Sequence, residues 1–213
     1  LGVPVIAVPK TMDNDVFGTE YCIGFSTAVT RSVDAITALR TTVASHERIG
    51  VIELFGRRSG ETALMAGYLS QADRVAIAEV PVDLEHLTEL LVADRLESEN
   101  RYSMMVVSEG AHLKGGSTLD EIGISASERQ HSGVGRRIAN HVRETTGVGI
   151  VLQELAYLMR SGAPDALDKM VSMAFGTLAV QLLDDGRQGL MTAVVDGHYE
   201  AVAVASVARG CKV

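Results

Sequence analysis
The sequence predicts an α/β protein built around mostly parallel sheets. Short runs rich in Val, Ile and Leu alternate with longer segments whose apolar residues recur every three to four positions, the pattern of strands separated by helices. Hydrophobic residues make up 46% of the 213 and charged residues 22%, enough to bury a substantial core. Aromatics contribute only 4%, Trp is absent and there are 21 Gly, so Val, Ile, Leu and Ala must fill the interior.

Taken in order, Val3–Val8 reads as a buried strand that ends in a polar loop, Pro9–Thr19. The chain opens at Leu1 rather than Met, and a core strand with nothing before it predicts further sequence upstream. Phe25, Ala28, Val29, Val33, Ile36, Leu39 and Val43 mark a long amphipathic helix. Ile49–Phe55 is a strand feeding Gly56-Arg57-Arg58-Ser59-Gly60, followed by a helix over about Glu61–Leu69. A strand at Val75–Val80 precedes a helix at about Leu84–Leu96, for which Asp83 is the expected N-cap. Met104–Val107 is a strand ending in Ser108-Glu109-Gly110, and the polar, Gly-rich stretch His112–Gln130 reads as a loop. A helix near Gly135–Thr145 and a strand near Val148–Leu152 come next, with Gln153-Glu154 expected to break the strand. Gly133-Val134-Gly135 has part of a dinucleotide fingerprint, but no strand precedes it, and it is read as helix-entry chemistry. The last long helix is expected from Pro164, in its first turn, to Leu183; Asp165 and Asp168 sit there in favourable dipole positions. Strands at Met191–Val195 and Ala201–Val204 flank Asp196-Gly197-His198-Tyr199, a hairpin signal.

The formal charge of −8 argues against nucleic acid or an anionic membrane as a partner, because both require clustered Lys and Arg. It leaves room for a small anionic substrate held by a few convergent arginines. Cys22 and Cys211 have no metal-ligand spacing, and two distant cysteines point to a reducing cytoplasm rather than a disulfide scaffold. No signal peptide is recognisable, and no apolar run reaches the roughly 18 residues of a membrane span.

In parallel α/β sheets ligands collect beyond the carboxyl ends of the strands. Three of the expected strands end in reactive groups: Lys10-Thr11-Met12-Asp13-Asn14-Asp15, Gly56-Arg57 and Glu109-Gly110. The first of these loops fits phosphoryl transfer, with Asp13 taking a proton from a hydroxyl while Lys10 and Thr11 hold a phosphate. Taken alone it reads also, and more readily, as a solvated acidic turn. A calcium loop of the EF-hand type is excluded, because Phe17 stands where the fifth-position ligand belongs. The Gly56–Gly60 loop can turn backbone N–H groups toward a phosphate, or be an ordinary strand-to-helix turn with two exposed arginines.

Together these segments resemble the phosphofructokinase family over nearly the whole chain. The most specific stretch is Pro9-Lys10-Thr11-Met12-Asp13-Asn14-Asp15, followed in order by Gly24-Phe25-Ser26-Thr27-Ala28, Ser45-His46-Glu47-Arg48, Phe55-Gly56-Arg57-Arg58-Ser59-Gly60, Ser108-Glu109-Gly110 and Leu155-Ala156-Tyr157-Leu158-Met159-Arg160-Ser161-Gly162. The resemblance implies two Rossmann-like lobes with mostly parallel sheets and a cleft between them, here without the N-terminal part of the fold. Residues 1–21 and 159–187 would belong to the donor-side lobe, and 22–158 with 188–213 mainly to the sugar-phosphate lobe.

It also implies roles. Asp13 matches the base that deprotonates the C1 hydroxyl of fructose 6-phosphate, with Asp15 a second carboxylate of the cluster. Thr11 and Arg57 match groups that hold the transferring phosphate, and Gly56, beside Phe55, lets the backbone approach the substrate. Glu109 matches the carboxylate on the sugar hydroxyls, Arg160 an arginine on the fructose 6-phosphate side, and Tyr157 stands where many ATP-dependent members carry a substrate-binding histidine. Arg48 matches an arginine that reaches the 6-phosphate across a subunit interface, implying a homodimer or homotetramer. Val151 stands where the family usually has a second interface arginine. Lys10 resembles the lysine of pyrophosphate-using members and favours pyrophosphate over ATP as donor. Magnesium (Mg2+) is implied as cofactor, its ligand expected in the upstream Gly-Gly-Asp loop that this chain lacks.

Overall fold
A computed structural model describes residues 3–114 and 133–212. The stretch expected as a polar loop therefore lies, from 115 onward, outside the described residues. The chain forms two compact units, Leu1–Ala28 with Arg160–Val213, and Val29–Met159.

In the first unit, β1 (Ile6–Ala7) runs parallel to β6 (Leu190–Val195), which pairs antiparallel with β7 (His198–Ala203). The expected buried strand at Val3–Val8 is a two-residue edge strand, with Val3 and Val5 more than 60% exposed. Apolar composition announced a strand there, but burial requires a second layer over the strand, and within this unit those two side chains have none. The hairpin turn contracts to Asp196-Gly197, both at positive φ (49° and 74°), so His198 and Tyr199 join β7. Two successive left-handed residues give the turn whose twist matches antiparallel strands. The 188–213 segment, which the resemblance groups mainly with 22–158, carries β6, the strand that pairs with β1 in the first unit.

The helix of this unit, α5 (Ala166–Asp184 in chain order), starts after an N-cap at Asp165, whose side chain accepts the Asp168 N–H at 2.9 Å. Pro164 therefore precedes the cap instead of opening the first turn. By length and composition alone α5 could cross a membrane (mean hydropathy 1.3), although Asp168 and Lys169 sit in its first turn. Neither Cys22 nor Cys211 forms a disulfide among the described residues.

The second unit holds a four-stranded parallel sheet in the order β3-β4-β2-β5, made of β2 (Ile49–Leu54), β3 (Arg74–Ala76), β4 (Ser103–Ser108) and β5 (Ile150–Glu154). Both central strands are almost wholly buried, as a sheet covered on two faces demands. β3 is shorter than its apolar run, and β5 begins two residues later than expected and keeps Gln153 and Glu154, paired with Ile52 and Glu53. Those polar residues did not break the strand, because β5 is an edge and its side chains are only partly buried.

α1 (Phe25–Ser45) begins in the first unit and continues into the second; α2 (Glu61–Leu69), α3 (Leu84–Glu97) and α4 (Val134–Thr146) complete the second. Asp83 caps α3 as expected, accepting the His86 N–H at 3.1 Å. Arg74 grips Asp94 through two nitrogens at 2.6 Å, tying β3 to α3. The core joins Ile49, Val51, Met105 and Val107 of the sheet to Leu91 of α3 and Ile138 and Val142 of α4.

Candidate active site
The loop after β1 is built from polar side chains turned inward. Asn14, only 1% exposed, adopts φ 53°, a left-handed conformation that Asn tolerates. Its amide donates to the Glu20 carbonyl at 2.9 Å, and its Oδ1 accepts the Cys22 N–H at 2.8 Å. These bonds close the loop on itself and hold Asp13 and Asp15 on either side of a fixed point. Asp13 donates its backbone N–H to Thr11 Oγ1 at 3.2 Å, Ile23 bonds to the Pro9 carbonyl at 3.0 Å, and Lys212 donates to the Asp15 carbonyl at 2.9 Å. Lys10 is exposed, while Thr11, Asp13 and Asp15 are half-buried.

Beneath this loop lies a buried carboxylate, Asp168, whose part goes beyond a favourable position on the helix dipole. Asp168 is fully buried. Its Oδ1 accepts from the Tyr21 hydroxyl (2.8 Å) and the Gly24 N–H (2.7 Å), and its Oδ2 from the N–H (2.9 Å) and hydroxyl of Thr27. Burial, then the hydrogen bond to Asp168, pushes the Tyr21 phenol well above its usual range. Gly24 packs against the Thr11 backbone: a Cβ there would lie 3.7 Å from the Thr11 carbonyl. The route from Asp168 through Gly24 to Thr11 therefore supports the loop from below. Only tertiary placement reveals it, since the partners are more than 140 residues apart in sequence.

In the second unit, the ends of β2 and β4 bring Phe55, Gly56, Arg57 and Glu109 to one edge of the parallel sheet. Gly110 presses on the turn so closely that a Cβ would stand 2.2 Å from the Arg57 carbonyl oxygen, and its N–H donates to the Gly56 carbonyl at 3.2 Å. Gly56 has φ 144° and no room for a side chain, with the Ser59 carbonyl 2.6 Å from a Cβ position. The Arg57 guanidinium lies 3.7 Å from the Glu109 carboxylate. Phe55 meets Tyr157 edge-to-face at 5.5 Å between ring centres, and its N–H points at the Met159 sulfur at 3.3 Å. Five expected residues are thus gathered here: Phe55, Gly56, Arg57, Glu109 and Tyr157.

Of the two readings of the Gly56–Gly60 loop, the bonds at its end fit the ordinary strand-to-helix turn: the Gly60 N–H is taken by the Glu79 carboxylate at 2.7 Å and that of Glu61 by Ser59 at 3.3 Å. An internal acid fills that anion position. Arg48 precedes β2, at the end of the strand opposite Gly56; six residues of strand span about 20 Å. Within its own unit Arg48 does not join Glu109. Arg160, exposed, belongs with Asp13, Thr11, Lys10 and Asp15 to the first unit.

No group of three or more His, Cys, Asp or Glu side chains able to hold a metal occurs among the described residues.

The phosphofructokinase family profile matches residues 1–183. The chain is 37% identical over 205 residues to the pyrophosphate–fructose 6-phosphate 1-phosphotransferase of Thermoproteus tenax, covering 95% of this chain and 58% of that protein. It is 38% identical over 194 residues to the ATP-dependent 6-phosphofructokinase of Chloroflexus aurantiacus, covering 91% and 53%. It thus spans about half the length of the curated relatives it matches. In fold it is similar to the pyrophosphate-dependent phosphofructokinase of Marinobacter aquaeolei, with a TM-score of 0.81 at 24% identity, covering 99% of this chain and 54% of that one. Phosphofructokinase from Saccharomyces cerevisiae gives a TM-score of 0.79 at 24% identity over 94% of this chain and 26% of its own. With its glycine-locked sheet edge and the carboxylate loop after β1, the chain belongs to the phosphofructokinase family.

Proposed function
We propose that the protein containing this chain transfers a phosphoryl group from pyrophosphate to the C1 hydroxyl of fructose 6-phosphate, a reversible step of glycolysis in the cytoplasm. The observation that carries the sugar-phosphate half is the Gly56–Gly110 lock, which holds Arg57 against Glu109 at the carboxyl edge of a parallel sheet. A carboxylate oriented by a cation suits sugar hydroxyls, and an exposed guanidinium beside it suits a phosphate.

In this reading Asp13 accepts the C1 hydroxyl proton as that oxygen bonds to the terminal phosphorus of pyrophosphate. The bridging P–O bond breaks, and orthophosphate leaves with the electron pair. Lys10 and Thr11 hold the donor, Arg57 steadies the transferring phosphoryl group, and Asp15 completes the acidic cluster. Gly56 and Phe55 shape the approach to the substrate, while Glu109, Tyr157 and Arg160 bind the sugar phosphate. Such chemistry relies on alignment and charge neutralisation rather than on covalent catalysis. Arg48, remote from Glu109 along β2, acts from a neighbouring subunit of a homodimer or homotetramer.

Lys10 favours pyrophosphate, because its charge can meet a donor phosphate where no nucleoside follows. ATP is the second reading, and the similar identity to ATP-dependent relatives supports it. The complete protein, assayed through aldolase-coupled product formation with each donor alone, tests both. Faster turnover with pyrophosphate is expected; turnover with ATP only would reverse the donor, and none with either would overturn the reaction.

A further inference from the structure
Glu53 is the charged residue inside β2, the strand that leads into Phe55–Arg57. Its backbone carbonyl accepts the Leu155 N–H at 3.0 Å, at the start of the segment carrying Tyr157, and the next carbonyl, Leu54, accepts the Glu109 N–H at 2.8 Å. The end of β2 thus fastens both neighbouring segments of the sugar-phosphate edge. The Glu53 side chain fastens the same point to α4: its Oε2 accepts the Gly135 N–H at 2.7 Å.

Gly133-Val134-Gly135, left by the sequence as helix-entry chemistry, finds its reason here. A Cβ at Gly133 would lie 2.8 and 2.9 Å from the two Glu53 carboxylate oxygens, and one at Gly135 would lie 2.8 Å from Oε2. The motif is a seat shaped to one internal carboxylate, at the helix end where a negative charge is favoured.

That seat is electrostatically poised. Burial raises the Glu53 carboxyl to about 7; the Gly135 N–H opposes the rise, Glu154 and Glu109 add to it, and Arg136 lowers it. Glu154 is the register partner of Glu53 on β5 and pairs with Arg136 of α4 at 3.1 Å. Glu109 follows β4 and pairs with Arg57, while β4 itself carries no charged side chain.

We propose that Glu53 is a positioning residue whose ionisation state sets the grip on the sugar phosphate: the carboxylate seated on Gly133–Gly135 holds the end of β2 against Glu109 and Arg57, and the neutral acid releases it. Protonation removes the charge-assisted part of the Gly135 hydrogen bond, so the end of β2 is held less firmly and the Arg57–Glu109 pair beside it relaxes. The inference rests on the sugar-phosphate reading of that pair.

The test uses the complete protein as wild type, E53Q and E53D, with two readouts across neutral pH. In wild type the KM for fructose 6-phosphate should fall about tenfold as pH rises through about 7, roughly the worth of one charge-assisted hydrogen bond, with kcat little changed. E53Q, neutral at every pH, should keep the weak KM without a step, and E53D should restore the step. In selectively glycine-labelled protein the Gly135 amide resonance should titrate with the same midpoint in wild type but not in E53Q. A wild-type KM profile in E53Q overturns the inference, as does a Gly135 amide that stays silent in wild type, an observation that needs no variant to fold. Absence of fructose 6-phosphate binding in wild type at every pH would instead overturn the functional reading, leaving the Gly135 titration to decide the seat.

Discussion
The loop after β1 and the loop after β2 solve the same problem with opposite means. In the first, buried side chains hold the backbone: Asn14 bonds to the main chain at Glu20 and Cys22, and Asp168 anchors Gly24 against Thr11. In the second, the missing side chains of Gly56 and Gly110 let one backbone rest on another. A polar scaffold fails when a donor or acceptor loses its partner, whereas a glycine lock fails when any atom is added. The two loops should therefore respond to different substitutions and in different kinetic parameters.

The largest effect is expected at Asp13. In Asp13→Ala, turnover should fall by roughly 10²–10⁴-fold, the usual worth of a positioned general base. Fructose 6-phosphate affinity, measured by calorimetry, should change little, since the groups assigned to the sugar lie on other segments. Turnover within a few-fold of wild type would strip Asp13 of its role and end the division of labour between the loops.

Asp168→Asn attacks the scaffold beneath the same loop. The Tyr21 hydroxyl, the Gly24 N–H and the N–H and hydroxyl of Thr27 all donate to the carboxylate oxygens, so an amide must turn its own N–H toward one pair of them. About 3 kcal/mol of stability should be lost, read as a lower urea midpoint, because a buried group left facing a like partner keeps its full desolvation cost. An unchanged midpoint would show that Asp168 is not the fastener of Gly24.

Gly110→Ala tests the other principle. Its Cβ would collide with the Arg57 carbonyl, so one of the two loops must shift. Displacements near 1 Å commonly cost about a hundredfold in a positioned site, an upper bound here because the loops can share the movement. The loss should appear in the KM for fructose 6-phosphate and spare the response to the phosphoryl donor. Equal losses toward both substrates would mean that the glycine lock serves the whole catalytic centre.

The same contrast explains what the sequence could disclose. Helix limits were readable at the Asp83 cap before α3 and, without a side-chain cap, over the 61–69 span of α2 between the Gly56–Gly60 loop and the next strand. The parallel sheet was readable because β2 and β4 are short, mainly apolar runs separated by helical segments. Polar residues on edge strand β5 misled, since composition does not say which strand is an edge. Neither Glu79 at the start of α2 nor Asp168 beneath Gly24 was recognised, because each works through partners distant in sequence. Motifs pointed to Arg57 and Glu109, whereas the lock that joins them is a property of backbone proximity. Glu53 had no visible motif of its own, but the paired glycines at 133 and 135 were a usable signal: two residues without side chains at a helix start imply something that must come close.

The smallest effect is expected at Lys10, an exposed side chain at the mouth of the polar loop. Lys10→Gly removes a charge without disturbing Asn14, whose two bonds close the loop one turn further on. If the ammonium meets a donor phosphate, the KM for pyrophosphate should rise by about tenfold, near 1.4 kcal/mol, while fructose 6-phosphate affinity stays constant. Raising the salt concentration should weaken pyrophosphate use in the wild type more than in the variant, because an exposed charge pair is screened. An unchanged pyrophosphate KM would detach Lys10 from donor choice and leave the nucleotide reading equally strong. A matched rise in both substrates' KM would instead show that Lys10 shapes the loop itself, erasing the contrast between a scaffold that positions and a surface charge that selects.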